Sequence, residues 1–174
     1  MASATKPFQP WKKNLLNGFV AIGILVVLWI SSPLFENHYE KLFIAGATVS
    51  IYCIWQFKQA SVRSFGQRLE RQSIKKLTSV LGSQNVRGNL PFPGHGDIDC
   101  VARINDKIFN IEIKAFGEFK KINRTHIHQA LAASNYLNTK PVIWLPNCKN
   151  SQFGERNGVL LYACNVKQLV KKLR

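Results

Sequence analysis

The stretch Gly96-Asp97-Ile98-Asp99-Cys100-Val101-Ala102-Arg103-Ile104-Asn105-Asp106-Lys107-Ile108-Phe109-Asn110-Ile111-Glu112-Ile113-Lys114 decides the reading of this chain. Its two halves read as strands, whose side chains point alternately to opposite faces. Asn105-Asp106 between them suits a two-residue hairpin turn. That turn sets a register in which Ile104 faces Lys107, Asp99 faces Glu112 and Asp97 faces Lys114. One face then carries Ile98 with Ile113, Cys100 with Ile111 and Ala102 with Phe109, the pattern of a core face. The opposite face carries three carboxylates and a lysine.

Directly opposed β-carbons lie roughly 4.5–5.5 Å apart, so a bare Asp99/Glu112 pair is repulsive. A divalent cation removes the repulsion, and hard oxygen ligands suit Mg2+ or Mn2+, which keep waters for substrate phosphates and a nucleophile. Lys114, two residues beyond Glu112 on the same face, is then placed to orient or help deprotonate an attacking water and to stabilise charge on a phosphate. The competing reading is a solvated strand face held by salt bridges, which is what charged strand residues usually are.

The order of elements around the hairpin points to an α/β fold. A helix is expected over Val62 to Leu81, with Leu69, Ile74, Leu77 and Leu81 at helical spacing and Gly82 as the stop. Asn85 to His95 holds Gly88, Pro91, Pro93 and Gly94 and reads as a loop, with Val86 open to a short first strand. After the hairpin come a helix over Ile122 to Leu137 and a strand over Pro141 to Leu145. A second strand over Gly158 to Cys164 and an Asn165-capped helix through Leu173 complete the order. Both late strands are apolar throughout, which predicts burial on two sides in a central mixed sheet flanked by helices.

Gly96-Asp97-Ile98-Asp99, a hairpin and then Ile111-Glu112-Ile113-Lys114 resembles the D…(D/E)-x-K signature of the PD-(D/E)XK nuclease superfamily, and within it the nuclease-related domain (NERD) family. The similarity extends over about residues 62 to 146 and rests on short motifs in order: Gly66 and Glu70, then Asp99, then Glu112 and Lys114, then Gln129 in His128-Gln129-Ala130-Leu131. Glu70 stands four residues after Gly66 rather than beside it, and Pro91 and Pro93 lie too far upstream of Asp99 to serve as the family's nominal proline. The resemblance implies a PD-(D/E)XK-like fold and metal-dependent phosphodiester hydrolysis in DNA, or in RNA. It also implies that Asp99 and Glu112 hold the metal with the carbonyl of Ile113, that Lys114 acts on water or phosphate, and that Glu70 and Gln129 support the site. Asp97 is a weaker candidate.

Charge agrees with a polyanionic partner. The chain has a formal net charge of +15, and residues 58 to 174 hold 20 Lys/Arg against 7 Asp/Glu. Such an excess favours nucleic acid through phosphate contacts and counterion release. A membrane-proximal surface drawn to anionic lipid is the alternative. Lys120, Lys121 and Arg124, just after the E-x-K strand, are the candidates for gripping a nucleic-acid backbone, against a plain solvated loop. Three of the seven acidic residues fall on the hairpin's charged face. His126 and His128 stand about 200° apart on a helix and suit surface or phosphate contacts better than a shared metal.

The N-terminal third has another character. Asn14 to Phe35 contains no charged residue and is long enough to span a bilayer as a helix, with Trp11 and Trp29 near the interfaces. A second apolar run, Leu42 to Phe57, reaches only about 24 Å and needs Lys41 and Lys58 to snorkel. The expectation is an anchor over residues 1–58 with transmembrane helices at about 15–35 and 41–57, followed by a nuclease-like domain over 59–174. Lys6, Lys12 and Lys13 before the hairpin and Lys58, Arg63, Arg68 and Arg71 after it, against Glu36 and Glu40 between the runs, place both termini in the cytoplasm of a cell with a bacterial type of inner membrane. A cleaved signal peptide and a buried hairpin in a soluble protein are the competing accounts.

Cys53, Cys100, Cys148 and Cys164 show no CxxC spacing, which argues against a zinc site and a disulfide framework. Besides DNA and lipid, a second copy or a membrane complex is an expected partner. Two further functions fit: a non-catalytic tether that binds DNA or anionic lipid through the basic domain, and an adaptor in a DNA-transfer or transport complex.

Overall fold

Asn105 and Asp106 adopt left-handed backbone conformations, φ 46° and 61°, the pair of angles that a two-residue hairpin turn needs to match the twist of its strands. They join β2 (Gly96–Ile104) to β3 (Lys107–Ile113) in the expected register, from Ile104↔Lys107 to Cys100↔Ile111. The chain is described by a computed structural model that covers residues 10–31, 39–93 and 96–174. Among the described residues, four helices and six strands, the two of the hairpin included, make a mixed α/β fold. The elements are α1 (Pro10–Ser31), α2 (Tyr39–Leu81), β1 (Val86–Phe92), β2, β3, α3 (Arg124–Leu137), β4 (Lys140–Leu145), β5 (Gln152–Arg156), β6 (Val159–Ala163) and α4 (Val166–Leu173). Two compact units result, residues 1–65 and 66–174. The boundary expected at 58/59 falls inside α2, which runs on without a break.

In the second unit the sheet order is β1-β2-β3-β4-β6-β5. The β3–β4 and β4–β6 pairs are parallel and the others antiparallel. The two continuously apolar strands, β4 and β6, occupy the interior of the sheet, as burial on both faces requires. Leu77 of α2 and Leu169, Val170 and Leu173 of α4 cover one face, against Ile111, Trp144 and Tyr162. Ile127 and Ala130 of α3 cover the other, against Ile143, Val159 and Leu161.

The segment expected as a loop after Gly82 is instead strand β1. Gly88 and Pro91 are tolerated there because β1 lies at the sheet edge, where a missing N–H breaks no second ladder. Strand β5 was not anticipated either. It pairs with β6 through a turn at Asn157-Gly158, φ 52° and 78°, a dipeptide that marks hairpins. Every β5 residue is exposed, so no alternation of burial reveals it in the sequence.

One face assignment needs correction. The β1–β2 ladder pairs Gly88 with Cys100 and Leu90 with Ile98 but passes over Asn89 and Asp99, and Asn89 has φ 53°. Both strands change face at this step. Cys100 and Ala102 pack in the cluster with Leu77 and Leu169, whereas Ile98 packs with Phe92 and with Ala133 of α3. Ile98 and Ile113 therefore do not share a cluster.

In the first unit, small and polar residues are buried: Ala21, Cys53, Ala60, Asn14 and Gln56. Arg63 donates from Nη1 to Asn14 Oδ1 at 3.2 Å, and Phe19 meets Phe57 edge to face. Large apolar side chains such as Phe19, Ile30, Phe43, Ile44 and Ile54 are exposed. Among the described residues one helix is long and apolar enough to cross a membrane, Trp11–Ser31, with a mean hydropathy of 2.0. The two-span expectation is thus met by one helix: Leu42 to Phe57 sits within the 43-residue α2, and Lys41 and Lys58 interrupt any longer apolar window. Residues 32–38, with Glu36 and His38, lie outside the described residues, as do Lys6 and the stretch 32–35 of the first expected span.

Candidate active site

Past Cys100 and Ile111 the β2–β3 ladder stops, so Asp99↔Glu112 and Asp97↔Lys114 are not ladder pairs as the turn register had predicted. The carboxylate of Asp99 takes the place of the ladder. Its Oδ2 accepts the Ile113 N–H at 2.7 Å, the donor that a continued ladder would have given to Ile98. In an antiparallel pair a residue's N–H and C=O face the same neighbour, so the Ile113 carbonyl turns toward β2 as well. On the other side of β3, the Lys114 N–H bonds the Trp144 carbonyl at 3.0 Å. The change of face at Asp99 therefore aims a carboxylate at the end of β3 instead of continuing the sheet.

Glu112 is 1% exposed and ion-paired to Lys114, Oε1 to Nζ, at 2.6 Å. Lys114 thus pairs with its neighbour two residues away on the same strand face, not with Asp97, which is exposed. Glu70 reaches the same region from α2. Burial, then the charge of Glu112, raises its pKa; Arg71 and Lys114 oppose the shift and Asp97 adds to it. Asp99 is held well above the ordinary carboxylate range by burial, then by Glu112 and Glu70, with Lys114 and the Ile113 N–H acting against the shift. Three carboxylates thus share one lysine, an excess of negative charge in a partly buried place.

Among the described residues, no three His, Cys, Asp or Glu side chains form a group that could hold a metal ion by themselves. Two carboxylates with a backbone carbonyl are nonetheless an oxygen donor set of the kind Mg2+ or Mn2+ accepts, the remaining positions being water. Burial first, and then the mutual repulsion of the carboxylates, raises the proton affinity of Asp99 and Glu70.

Two residues that the sequence reading did not assign to the site lie beside it. His126, on the first turn of α3, is pushed below its ordinary pKa by burial and then by the charge of Lys114. Its Nδ1 accepts the Asn123 N–H at 3.2 Å while Asn123 Oδ1 caps the helix, and its ring meets Phe116. The neutral imidazole therefore carries its proton on Nε2. The fully buried Asn110, two residues before Glu112, bonds the Ala130 carbonyl and ties β3 to α3. A His three residues after Asn at a helix start was the available signal for the first; nothing local marked the second.

The remaining candidates are less closely drawn in. Gln129 stands three residues beyond His126, hence on a neighbouring position of the same helix face, but among the described residues no hydrogen bond or ion pair joins it to the carboxylates. Lys120 and Lys121 are exposed in a short 3-10 turn, where Lys120 pairs with Glu118 at 2.8 Å. Arg124 is exposed at the start of α3. Cys100, behind Asp99, has its thiol pushed up to about 12 by burial and then by Asp99 and Glu70, so it is not a nucleophile. No family model, curated protein or solved structure matches this chain.

Proposed function

We propose that this protein is a membrane-anchored, divalent-metal-dependent nuclease of the PD-(D/E)XK type acting on DNA, with similarity to NERD proteins. The observation that carries the reading is the convergence of Asp99, Glu112, Lys114 and Glu70 at the point where β2 leaves β3. Asp99, Glu112 and the Ile113 carbonyl would hold Mg2+ or Mn2+. Such an ion neutralises phosphate charge and makes a bound water more acidic. Lys114, held by Glu112, positions the water or the scissile phosphate. Glu70 supports the carboxylate pair from α2, and Gln129 lines the α3 side. Lys120, Lys121 and Arg124 contribute positive charge for the backbone of the substrate.

The anchor in this proposal is the helix Trp11–Ser31, with the shorter apolar run Leu42 to Phe57 returning across the bilayer so that the catalytic domain faces the cytoplasm. The exposed large apolar side chains of this pair, and the bond from Arg63 to the buried Asn14, support the reading, because in lipid the outside of a helix pair must be apolar.

A non-catalytic tether is favoured by one observation, that among the described residues no three acidic, histidine or cysteine side chains form a group that could hold an ion. One experiment separates the two. Full-length protein in detergent is incubated with plasmid and linear DNA in Mg2+, Mn2+ or EDTA, beside Glu112→Ala and Lys114→Ala. The nuclease reading expects metal-dependent cutting that either substitution reduces by at least about a hundredfold, the scale of losing one electrostatic stabiliser of the transition state. DNA binding without cutting by the folded protein would establish the tether instead.

A further inference from the structure

Helix α3 runs antiparallel to β3, because it carries the chain back from the end of β3 to the start of β4 and those strands are parallel neighbours. Asn110 fixes the level of the helix against the strand by donating from Nδ2 to the Ala130 carbonyl at 3.3 Å. Four residues back along α3, about 6 Å, match two residues forward along β3, about 6.6 Å. The first turn of α3 therefore stands over the Glu112 to Lys114 end of the strand, on the face that Asn110 and Glu112 share. His126 occupies that turn, four residues before the buried Ala130 and in the same row. Its ring contact with Phe116, two residues beyond Lys114, agrees with this placement, at 5.1 Å between centroids.

The imidazole is held at two points. The Asn123 N–H occupies Nδ1 and Phe116 lies against the ring, which fixes both its rotamer and its tautomer. The Nε2–H points away from the Asn123 N–H, and among the described residues it has no hydrogen-bond partner. Capping alone does not account for a histidine here. The third position of a capping box ordinarily takes Glu or Gln, which reach back to the same N–H, and the helix dipole favours a carboxylate there as well. A carboxylate has only acceptors, whereas this histidine keeps a rigid donor on its outer edge. Being neutral, that donor also avoids the repulsion that a second cation beside Lys114 would bring.

We propose that His126 is a catalytic residue of the reaction proposed for this site, its Nε2–H donating a hydrogen bond to a non-bridging oxygen of the phosphate on which Lys114 acts. The proton stays on the imidazole throughout. The bond strengthens as charge builds on the phosphate oxygens during attack by water, so it serves the transition state more than the bound substrate. The inference rests on the nuclease reading, and its test includes a measurement that needs no turnover.

His126→Glu, His126→Gln and His126→Ala in the full-length protein in detergent separate the donor from the cap. Glu and Gln keep an acceptor for the Asn123 N–H, so their melting temperatures should equal or exceed that of the unsubstituted protein, whereas Ala should lower it. Cleavage of DNA in Mg2+ should follow another order. With KM little changed, kcat should fall about a hundredfold in the Ala and Glu variants, the scale of one lost transition-state donor, and Gln, which brings an amide N–H, should recover part of the loss. Cutting by His126→Glu at the unsubstituted rate, or losses that track melting temperature through the series, would overturn the proposal. The second measurement uses protein labelled with nitrogen-15 histidine. The Nε2–H resonance that disappears in His126→Gln should shift when a short DNA duplex is added in Ca2+, which takes the same oxygen ligands. An unmoved resonance in protein that binds the duplex would overturn the contact. A shift without cutting by the unsubstituted protein in Mg2+ would uphold the phosphate contact and end the nuclease reading; cutting with an unmoved resonance and an active His126→Glu would do the reverse.

Discussion

The two units of this protein are built inside out with respect to each other. In residues 66–174 the interior is Trp144, Leu77, Ile111 and Leu145, and lysines and arginines lie outside. In residues 1–65 the interior is Ala21, Cys53, Ala60, Asn14 and Gln56, while Trp29 is 78% exposed among isoleucines, valines and phenylalanines. Water drives the first arrangement by expelling apolar area. The second is the arrangement that the proposed anchor requires, since in apolar surroundings helices gain from close contact of small residues instead. Gly18 illustrates the contact: a β-carbon there would come within 2.8 Å of the Phe57 ring.

The largest test of this contrast compares the two tryptophans. Trp144→Ala removes a ring that is 1% exposed and the bond from its Nε1 to the Cys164 carbonyl at 2.8 Å, and should cost about 3–5 kcal/mol in chemical denaturation. Trp29→Ala should change stability by no more than about 0.5 kcal/mol. Comparable losses at both positions would remove the distinction. The fluorescence of Trp29, but not of Trp144, should in addition be quenched by brominated lipid.

A second test uses charge within the basic unit. Asp99 and Glu70 hold protons more tightly in the fold than in the unfolded chain, so their contribution to the stability of the metal-free protein should be greatest below the ordinary carboxylate range. That contribution should be lost as pH rises through their raised pKa values. Asp99→Asn keeps an acceptor for the Ile113 N–H but not the charge. Melting curves in EDTA should then flatten with pH, and the variant should gain about 1 kcal/mol near neutrality, a few degrees in melting temperature. A stability that rises with pH through this window would contradict the crowded-carboxylate account.

Smaller effects sharpen the comparison at single polar groups. Asn123→Ala removes the Oδ1 acceptor of the His126 N–H and should destabilise by about 1 kcal/mol, which denaturant titration resolves. Gln56→Leu in the first unit should be neutral or stabilising by up to about 1 kcal/mol in detergent, since Gln56 Oε1 is buried without a partner. A clear loss there would mean that the polar interior of the first unit is needed for its helix contact.

Much of the second unit was legible in the sequence because its signals are local. Asn105-Asp106 set the hairpin, the alternation along Phe109 to Ile113 set its faces, and the apolar runs at 142–145 and 159–163 set the buried strands. Strands β1 and β5 were not legible. One carries Pro91 and Gly88 at an edge and the other buries nothing, so neither has the periodic pattern that marks a strand. In the candidate site, the grouping of Asp99, Glu112 and Lys114 follows from the hairpin alone, but the hairpin register paired Lys114 with Asp97 where the structure pairs it with Glu112.

The sequence by itself thus determined the hairpin, the two strands buried on both faces, the cap of α4, the long apolar helix near the N-terminus and the strong positive charge, all features fixed by neighbours along the chain. Only the tertiary structure decided that β2 turns at Asp99, that its carboxylate meets the Ile113 N–H and that His126 arrives beside Lys114 from α3. Such groups are distant in sequence, and their meeting depends on the packing of α2, α3 and α4 onto the sheet, which no local pattern encodes.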